Sequence, residues 1–277
     1  MSGEYAGKRN RVTVMRAGVS TSSLFQREMN EDAVTILKGL GISCIEIFLT
    51  TYSEYTKEFA AVLRDRSEGM TVNSVHLLTT QFEPQLFVGH PRAREDAFKI
   101  LRGAMASAQI FRAGNYTFHG LTRLKRNSSL PPLENMAAGL NAISDSCREY
   151  GVRLCLENVH WAMYSEPGLF RKLAPLCPDL AGVFDIKQAR LSHYPYPMYL
   201  KDMEGRISHV HLTDVNDAGK ICLPGKGNTD FAELIKRLKD IGFDGAMLIE
   251  VYPQDYGQYV ELKQSCDFLE ELIYKLC

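Results

Sequence analysis

The chain has 277 residues, 45% hydrophobic and 23% charged, with 21 Gly and 11 Pro, which excludes disordered, collagen-like and low-complexity proteins. Its 32 Lys and Arg offset 33 Asp and Glu to leave a net charge of −1, so no global field draws it toward nucleic acid or an anionic membrane. Seven cysteines (Cys44, Cys147, Cys155, Cys177, Cys222, Cys266, Cys277) show no C-x-x-C pair or zinc-finger spacing, and no run reaches the roughly 18 apolar residues of a membrane span. With no apolar leader pattern in Met1 to Arg11, these features predict a reduced, cytoplasmic protein.

In chain order, β-branched and apolar runs predict strands at residues 12–20, 43–48, 71–77, 116–119, 152–157, 181–185, 207–212 and 246–251. Helices are predicted between them at 31–40, 55–66, 92–111, 133–150, 167–176 and 230–241, with a last one at 260–276. The helix at 230–241 is the clearest. Asp230 and Glu233 form a capping box, Phe231, Leu234, Ile235, Leu238 and Ile241 make its apolar stripe, and Gly242 follows as the C-cap. Strict βα alternation over eight units predicts an α/β fold, a single (β/α)₈ TIM barrel spanning residues 1–277 as one domain. The alternative, an open doubly wound sheet, is disfavoured because Gly18 to Phe25 lacks a G-x-G-x-x-G fingerprint.

Side chains at the C-terminal ends of barrel strands point into a common mouth. Here those ends are taken as Glu46, His76, His119, Glu157, Asp185, His211 and Glu250, groups that are costly to bury unless paired or bound to a metal. Glu157, Asp185, His211 and Glu250 close strands five to eight, so barrel closure places them on neighbouring staves. Three carboxylates and an imidazole form a hard ligand set for one divalent ion, Mn²⁺ first, with Mg²⁺, Co²⁺ or Zn²⁺ as alternatives. The competing reading is a metal-free charge cluster, which the mutual repulsion of three carboxylates disfavours.

Around this set, His76 and His119 are candidates to orient substrate, and His209, one layer deeper than His211, for a supporting role. Asn158, after the strand-five glutamate, is a candidate to line the mouth and contact substrate or to form a turn, and Glu46 is a candidate substrate contact or ion-pair partner. The Leu-Pro-Gly-Lys-Gly-Asn loop at 223–228 offers Lys226 and backbone amides for an anion contact or a lid. Trp161 and Tyr164 are candidates to stack on a sugar ring or to pack in the core, and the run Arg123-Leu-Lys-Arg126 reads as a solvated basic loop.

The runs Leu-Cys-Leu-Glu157-Asn158, Val-Phe-Asp185-Ile-Lys-Gln188, His209-Val-His211-Leu-Thr-Asp214 with Pro224-Gly-Lys-Gly-Asn228, and Gly245-Ala-Met-Leu-Ile-Glu250 resemble the xylose-isomerase-like TIM barrels. More narrowly they resemble the sugar phosphate isomerase/epimerase group that includes the ketose 3-epimerases. The resemblance implies that Glu157, Asp185, His211 and Glu250 hold the metal, and that Glu157 and Glu250 exchange protons with a small carbohydrate. Two positions depart from the ketose 3-epimerases: Gln188 stands where they carry a substrate-binding His, and Asp217 where they carry an Arg. Endonuclease IV is a more distant relative of the same superfamily. His76 and His119 match its pattern, but Gln188 and the absence of His in residues 212–228 argue against its trinuclear zinc cluster.

The expected activity is therefore a metal-dependent isomerase or epimerase that abstracts a proton beside a carbonyl. A lyase or dehydratase acting on a polyol-derived keto acid, and an endonuclease IV-like phosphodiesterase, stand as alternatives. Gln188 and Lys226 complete the candidate substrate contacts, and homo-oligomerisation stays open.

Overall fold

The computed structural model describes residues 15–78, 82–123 and 130–277. Eight parallel strands close on themselves in the order β1 (Arg16–Ser20), β2 (Cys44–Leu49), β3 (Thr71–Leu77), β4 (Asn115–Phe118), β5 (Arg153–Glu157), β6 (Ala181–Asp185), β7 (Ile207–Leu212) and β10 (Ala246–Ile249), with β10 hydrogen-bonded back to β1. This is the predicted (β/α)₈ barrel. Between β7 and β10 a small antiparallel ribbon, β8 (Asp214–Val215) and β9 (Ile221–Cys222), stands outside it.

The connecting helices are α1 (Asn30–Gly39), α2 (Lys57–Arg66), α3 (Pro91–Ile110), α4 (Leu133–Arg148), α5 (Leu169–Leu173), α6 (Ile186–Leu191), α7 (Tyr196–Asp202), α8 (Phe231–Asp240) and α9 (Val260–Leu276). In α8, Asp230 caps the helix by accepting from the Glu233 N–H, and Gly242 takes the left-handed φ of +75° that a helix exit favours. The Glu233 carboxylate turns instead to Arg237, so only half of the expected capping box forms. The segment between Asp185 and Ile207, which carries no clear periodicity, folds into α6 and α7. Asp185 itself caps α6 through the Gln188 N–H, 2.8 Å away. The predicted helix at 167–176 shrinks to α5 because Gly168 at φ +103° precedes it.

Outward-facing strand residues such as Val19, Ile47, Val75, Phe118, Leu156, Phe184, Val210 and Met247 pack with the helices in one continuous apolar core. The barrel interior is different. Its apolar content falls into two small groups, Cys44 with Ala246 and Leu248, and Cys155 with Ala181 and Val183. Above them the interior turns polar, so its groups must satisfy one another or a ligand.

Candidate metal centre

Glu157, Asp185, His211 and Glu250 converge at the C-terminal mouth, each buried, with one ligand atom from each lying within 4.8 Å of all the others. His211 Nδ1 is 3.0 Å from Glu157 Oε1 and 3.2 Å from Glu250 Oε2. Asp185 Oδ1 is used as the cap of α6, whereas its buried Oδ2 has no hydrogen-bond partner among the described residues. An orphaned carboxylate oxygen facing two further carboxylates and an imidazole nitrogen is the donor set that a divalent cation completes. The residues therefore fit one such ion.

The electrostatics of these groups agree. Burial and the neighbouring carboxylates push the Asp185 carboxyl up to about 7 despite the nearby Lys187. Burial also opposes ionisation of Glu157, but His211 and His119 outweigh it and bring that carboxyl down to about 2. For His211 burial again works against the charge, yet Glu250, Glu46 and Glu157 hold it protonated well above the usual histidine range.

Beneath this layer lies Glu46, which does not end its strand. β2 runs on to Leu49, and Glu46 is 0% exposed, so it cannot be the mouth residue that the sequence led us to expect. Its carboxylate accepts from Ser20 Oγ (2.9 Å), Ser74 Oγ (2.7 Å) and Thr117 Oγ1 (2.7 Å), and His211 Nε2 is 3.1 Å away. A carboxylate behind the far nitrogen of an imidazole fixes the ring orientation and directs Nδ1 to the mouth. His209 sits in the same layer, fully buried, with Nε2 2.9 Å from Thr117 Oγ1.

Asn158 is likewise not a mouth contact. Its amide Nδ2 donates to the Asp185 carbonyl at 2.9 Å and its Oδ1 accepts from the Asp185 N–H at 2.8 Å. His76 and His119 do reach the site. His119 Nε2 is 2.6 Å from Glu157 Oε2, His76 Nδ1 is 3.3 Å from Glu250 Oε1, and the two Nε2 atoms are 3.1 Å apart. Gln188 also lines the mouth, with Oε1 accepting from the His160 N–H and lying 2.7 Å from His160 Nδ1.

Above these groups opens a cavity of about 250 Å³, walled by Phe25, Phe48, Trp161, Lys187 and Tyr252. Trp161 meets the His119 ring edge-on at 5.2 Å, while Tyr164 is buried and donates to Asp202, a core use. Lys226 is exposed and does not line the cavity. Its loop is not a free lid either, since Asp214 accepts from the N–H groups of Val215, Gly225, Gly227 and Thr229 at 2.8–3.1 Å. Those amides are thus unavailable to an anion. Asp217 accepts from Asn228 on the same exposed loop. Of the basic run, Arg123 pairs with Glu166, and Leu124 to Arg126 lie outside the described residues.

Sequence reasoning missed Ser22, whose Oγ donates to Glu250 Oε1 at 3.1 Å, and Lys187, whose Nζ is 3.8 Å from Glu250 Oε2. The available signal for Lys187 was its place two residues after a strand-end aspartate.

Barrel, mouth and ligand set define the chain as a (β/α)₈ barrel with a candidate metal centre at its C-terminal mouth. It belongs to the xylose isomerase-like TIM barrel family, whose sequence model matches residues 34–272. An uncharacterized protein of Methanocaldococcus jannaschii is 28% identical over 206 residues, 68% of this chain and 66% of that protein. An inosose dehydratase of Serratia proteamaculans is 25% identical over 139 residues, 42% of this chain and 47% of that protein. The matches thus span less than two thirds of either relative's length. Among solved structures, a D-psicose 3-epimerase from Clostridium cellulolyticum H10 with D-tagatose superposes with TM-score 0.77 at 14% identity, covering 95% of this chain and 99% of the other. The IolI protein with a bound zinc atom superposes with TM-score 0.75 at 16% identity over 95% and 99% of the two chains.

Proposed function

We propose that this chain is a divalent-metal-dependent isomerase or epimerase of a small carbohydrate. The observation that carries the reading is the pair Glu157 and Glu250, two carboxylates each within 3.2 Å of His211 Nδ1 at the floor of the mouth cavity. When bound by Glu157, Asp185, His211 and Glu250, the cation, Mn²⁺ by preference for this oxygen-rich set, supplies Lewis-acid polarisation of a substrate carbonyl. One glutamate takes the proton from the carbon beside that carbonyl and the other returns it. Return on the opposite face of the same carbon gives an epimer, and return on the adjacent carbon gives the aldose or ketose isomer. His76 and His119, within 3.3 Å of these carboxylates, orient the sugar together with Gln188. Trp161, Phe25 and Phe48 exclude water from the reacting carbon.

The ketose 3-epimerase and dehydratase names of its relatives support carbon-acid chemistry on a sugar or cyclitol. A dehydratase is the second reading, favoured by the inosose dehydratase match, because elimination begins with the same proton abstraction. The test is a panel of ketoses, aldoses and their acidic derivatives in D₂O with added Mn²⁺, followed by NMR and mass spectrometry. Deuterium entering the carbon skeleton of a sugar that keeps all its oxygens supports isomerisation, loss of water supports elimination, and no exchange on any member overturns both.

A further inference from the structure

Lys187 stands at the mouth beside the carboxylates of Asp185 and Glu250, with no hydrogen bond to either. Its side chain is 5% exposed, and it reaches the cavity from the first residues of α6. A lysine ammonium carries three N–H donors. Among the described residues its ion-pair partner is Glu250 Oε2 at 3.8 Å, beyond hydrogen-bonding reach, and its other neighbour is the Tyr252 ring, 4.7 Å from Nζ to centroid. A counter-ion whose only task was to neutralise Glu250 would close to about 2.8 Å, the usual separation of an ammonium and a carboxylate. Instead the head group lines the cavity walled by Phe25, Phe48 and Trp161. Ser22 donates to Glu250 and Gln188 Oε1 is held by His160, and among the described residues that line the cavity Lys187 is the one Lys or Arg, the permanent cation that a charged ligand meets.

We propose that Lys187 receives an oxyanion carried by the substrate, so that the enzyme acts on an acidic sugar, a carboxylate or phosphate ester, in preference to a neutral one. This rests on the sugar-isomerase reading above and narrows its substrate class. The ammonium fixes the charged end of the ligand and thereby sets which carbon faces Glu157 and Glu250.

The test measures binding rather than turnover. Isothermal titration of the Mn²⁺-loaded protein compares D-fructose, D-fructuronate and D-fructose 6-phosphate, a matched neutral, carboxylate and phosphate set. The wild type is expected to bind one of the two anions at least about tenfold tighter than D-fructose, the gain of one charged hydrogen bond, and which anion wins identifies the source of the charge. Lys187→Met should lose that advantage and Lys187→Arg should keep most of it, read as the ratio of anion to D-fructose affinity at saturating Mn²⁺ so that any loss common to all three ligands cancels. Equal weakening of all three ligands in Lys187→Met overturns the proposal, because Lys187 would then only balance the acidic ring. So does a wild type without anion preference, whether or not either variant folds. An anion preference that persists without any deuterium exchange would overturn the isomerase reading alone, and exchange on neutral sugars without anion preference would overturn only the role of Lys187.

Discussion

The side chain of Asn158 grips the backbone of Asp185 at both ends, its amide donating to the Asp185 carbonyl and its carbonyl accepting from the Asp185 N–H. This two-point clamp joins the end of β5 to the end of β6, and Asp185 Oδ1 is meanwhile committed to the cap of α6. With backbone and one oxygen fixed, Oδ2 is left aimed at the centre. Replacing Asn158 with Leu should therefore lower Mn²⁺ affinity roughly 10- to 100-fold while far-ultraviolet circular dichroism stays unchanged. Isothermal titration measures it, and an unchanged affinity would show that the clamp does not position the ligand.

Asp185→Asn separates charge from geometry. An asparagine can still cap α6 through its side-chain oxygen, so the barrel should keep its melting temperature to within a few degrees. The anionic ligand is gone, however, and metal content after dialysis should fall below about a tenth of the wild-type value. Full metal occupancy in the purified variant would remove Asp185 from the centre.

Glu157→Gln and Glu250→Gln test proton transfer. A carboxylate that only coordinates can be compensated by excess metal, whereas an amide has no useful basicity near neutral pH. Each variant should retain less than about a hundredth of wild-type turnover even at saturating Mn²⁺, in keeping with the usual 10²–10⁴-fold contribution of a general base. If each glutamate serves one face, one variant should still wash substrate hydrogen into D₂O without forming product. Recovery of turnover by added metal in both would limit them to coordination.

Glu83 gives a pH dependence outside the ligand set. It is fully buried between Tyr116, which donates to its Oε1, and the N–H groups of His119 and Gly120, which donate to Oε2. Burial pushes its carboxyl up to about 8, against these donors. The folded protein therefore holds a proton that the unfolded chain releases near the ordinary glutamate value. The resulting stability is fully present below that value and is lost as pH rises through about 8. Stability by urea titration should fall by a few kcal/mol, about 1.4 per pKa unit, between pH 5 and 9, and Glu83→Gln should flatten the decline. A wild-type profile already flat over that range would show that Glu83 is ionised in the fold.

The seven thiols should all react with an aromatic disulfide reagent in the unfolded, unreduced protein, since every cysteine is free in the fold. Recovery of fewer than six would indicate oxidation that the barrel does not require.

The sequence alone determined the barrel and the four candidate ligands, because both are local signals. Alternating strand and helix periods need only a window of neighbours to be seen, and Glu157, Asp185 and Glu250 each stand where an apolar run stops, with His211 one residue before the end of its own. Tertiary structure decided the rest. Glu46 also follows an apolar run, yet β2 continues to Leu49 and its register with β3 shifts between Ile45 and Glu46, which places it beneath the mouth. Its partners Ser20 and His211 are 26 and 165 residues away in sequence, so no local pattern could reveal a hub that exists only once eight strands close. Lys226 sits between two glycines and reads as a mobile cation, but Asp214 folds its loop down from more than ten residues upstream. Lys187 lies in a segment with no clear periodicity, and only closure of the barrel buries it beside Glu250. In each case the sequence supplied the chemical group, and chain closure set its depth, its partners and therefore its charge.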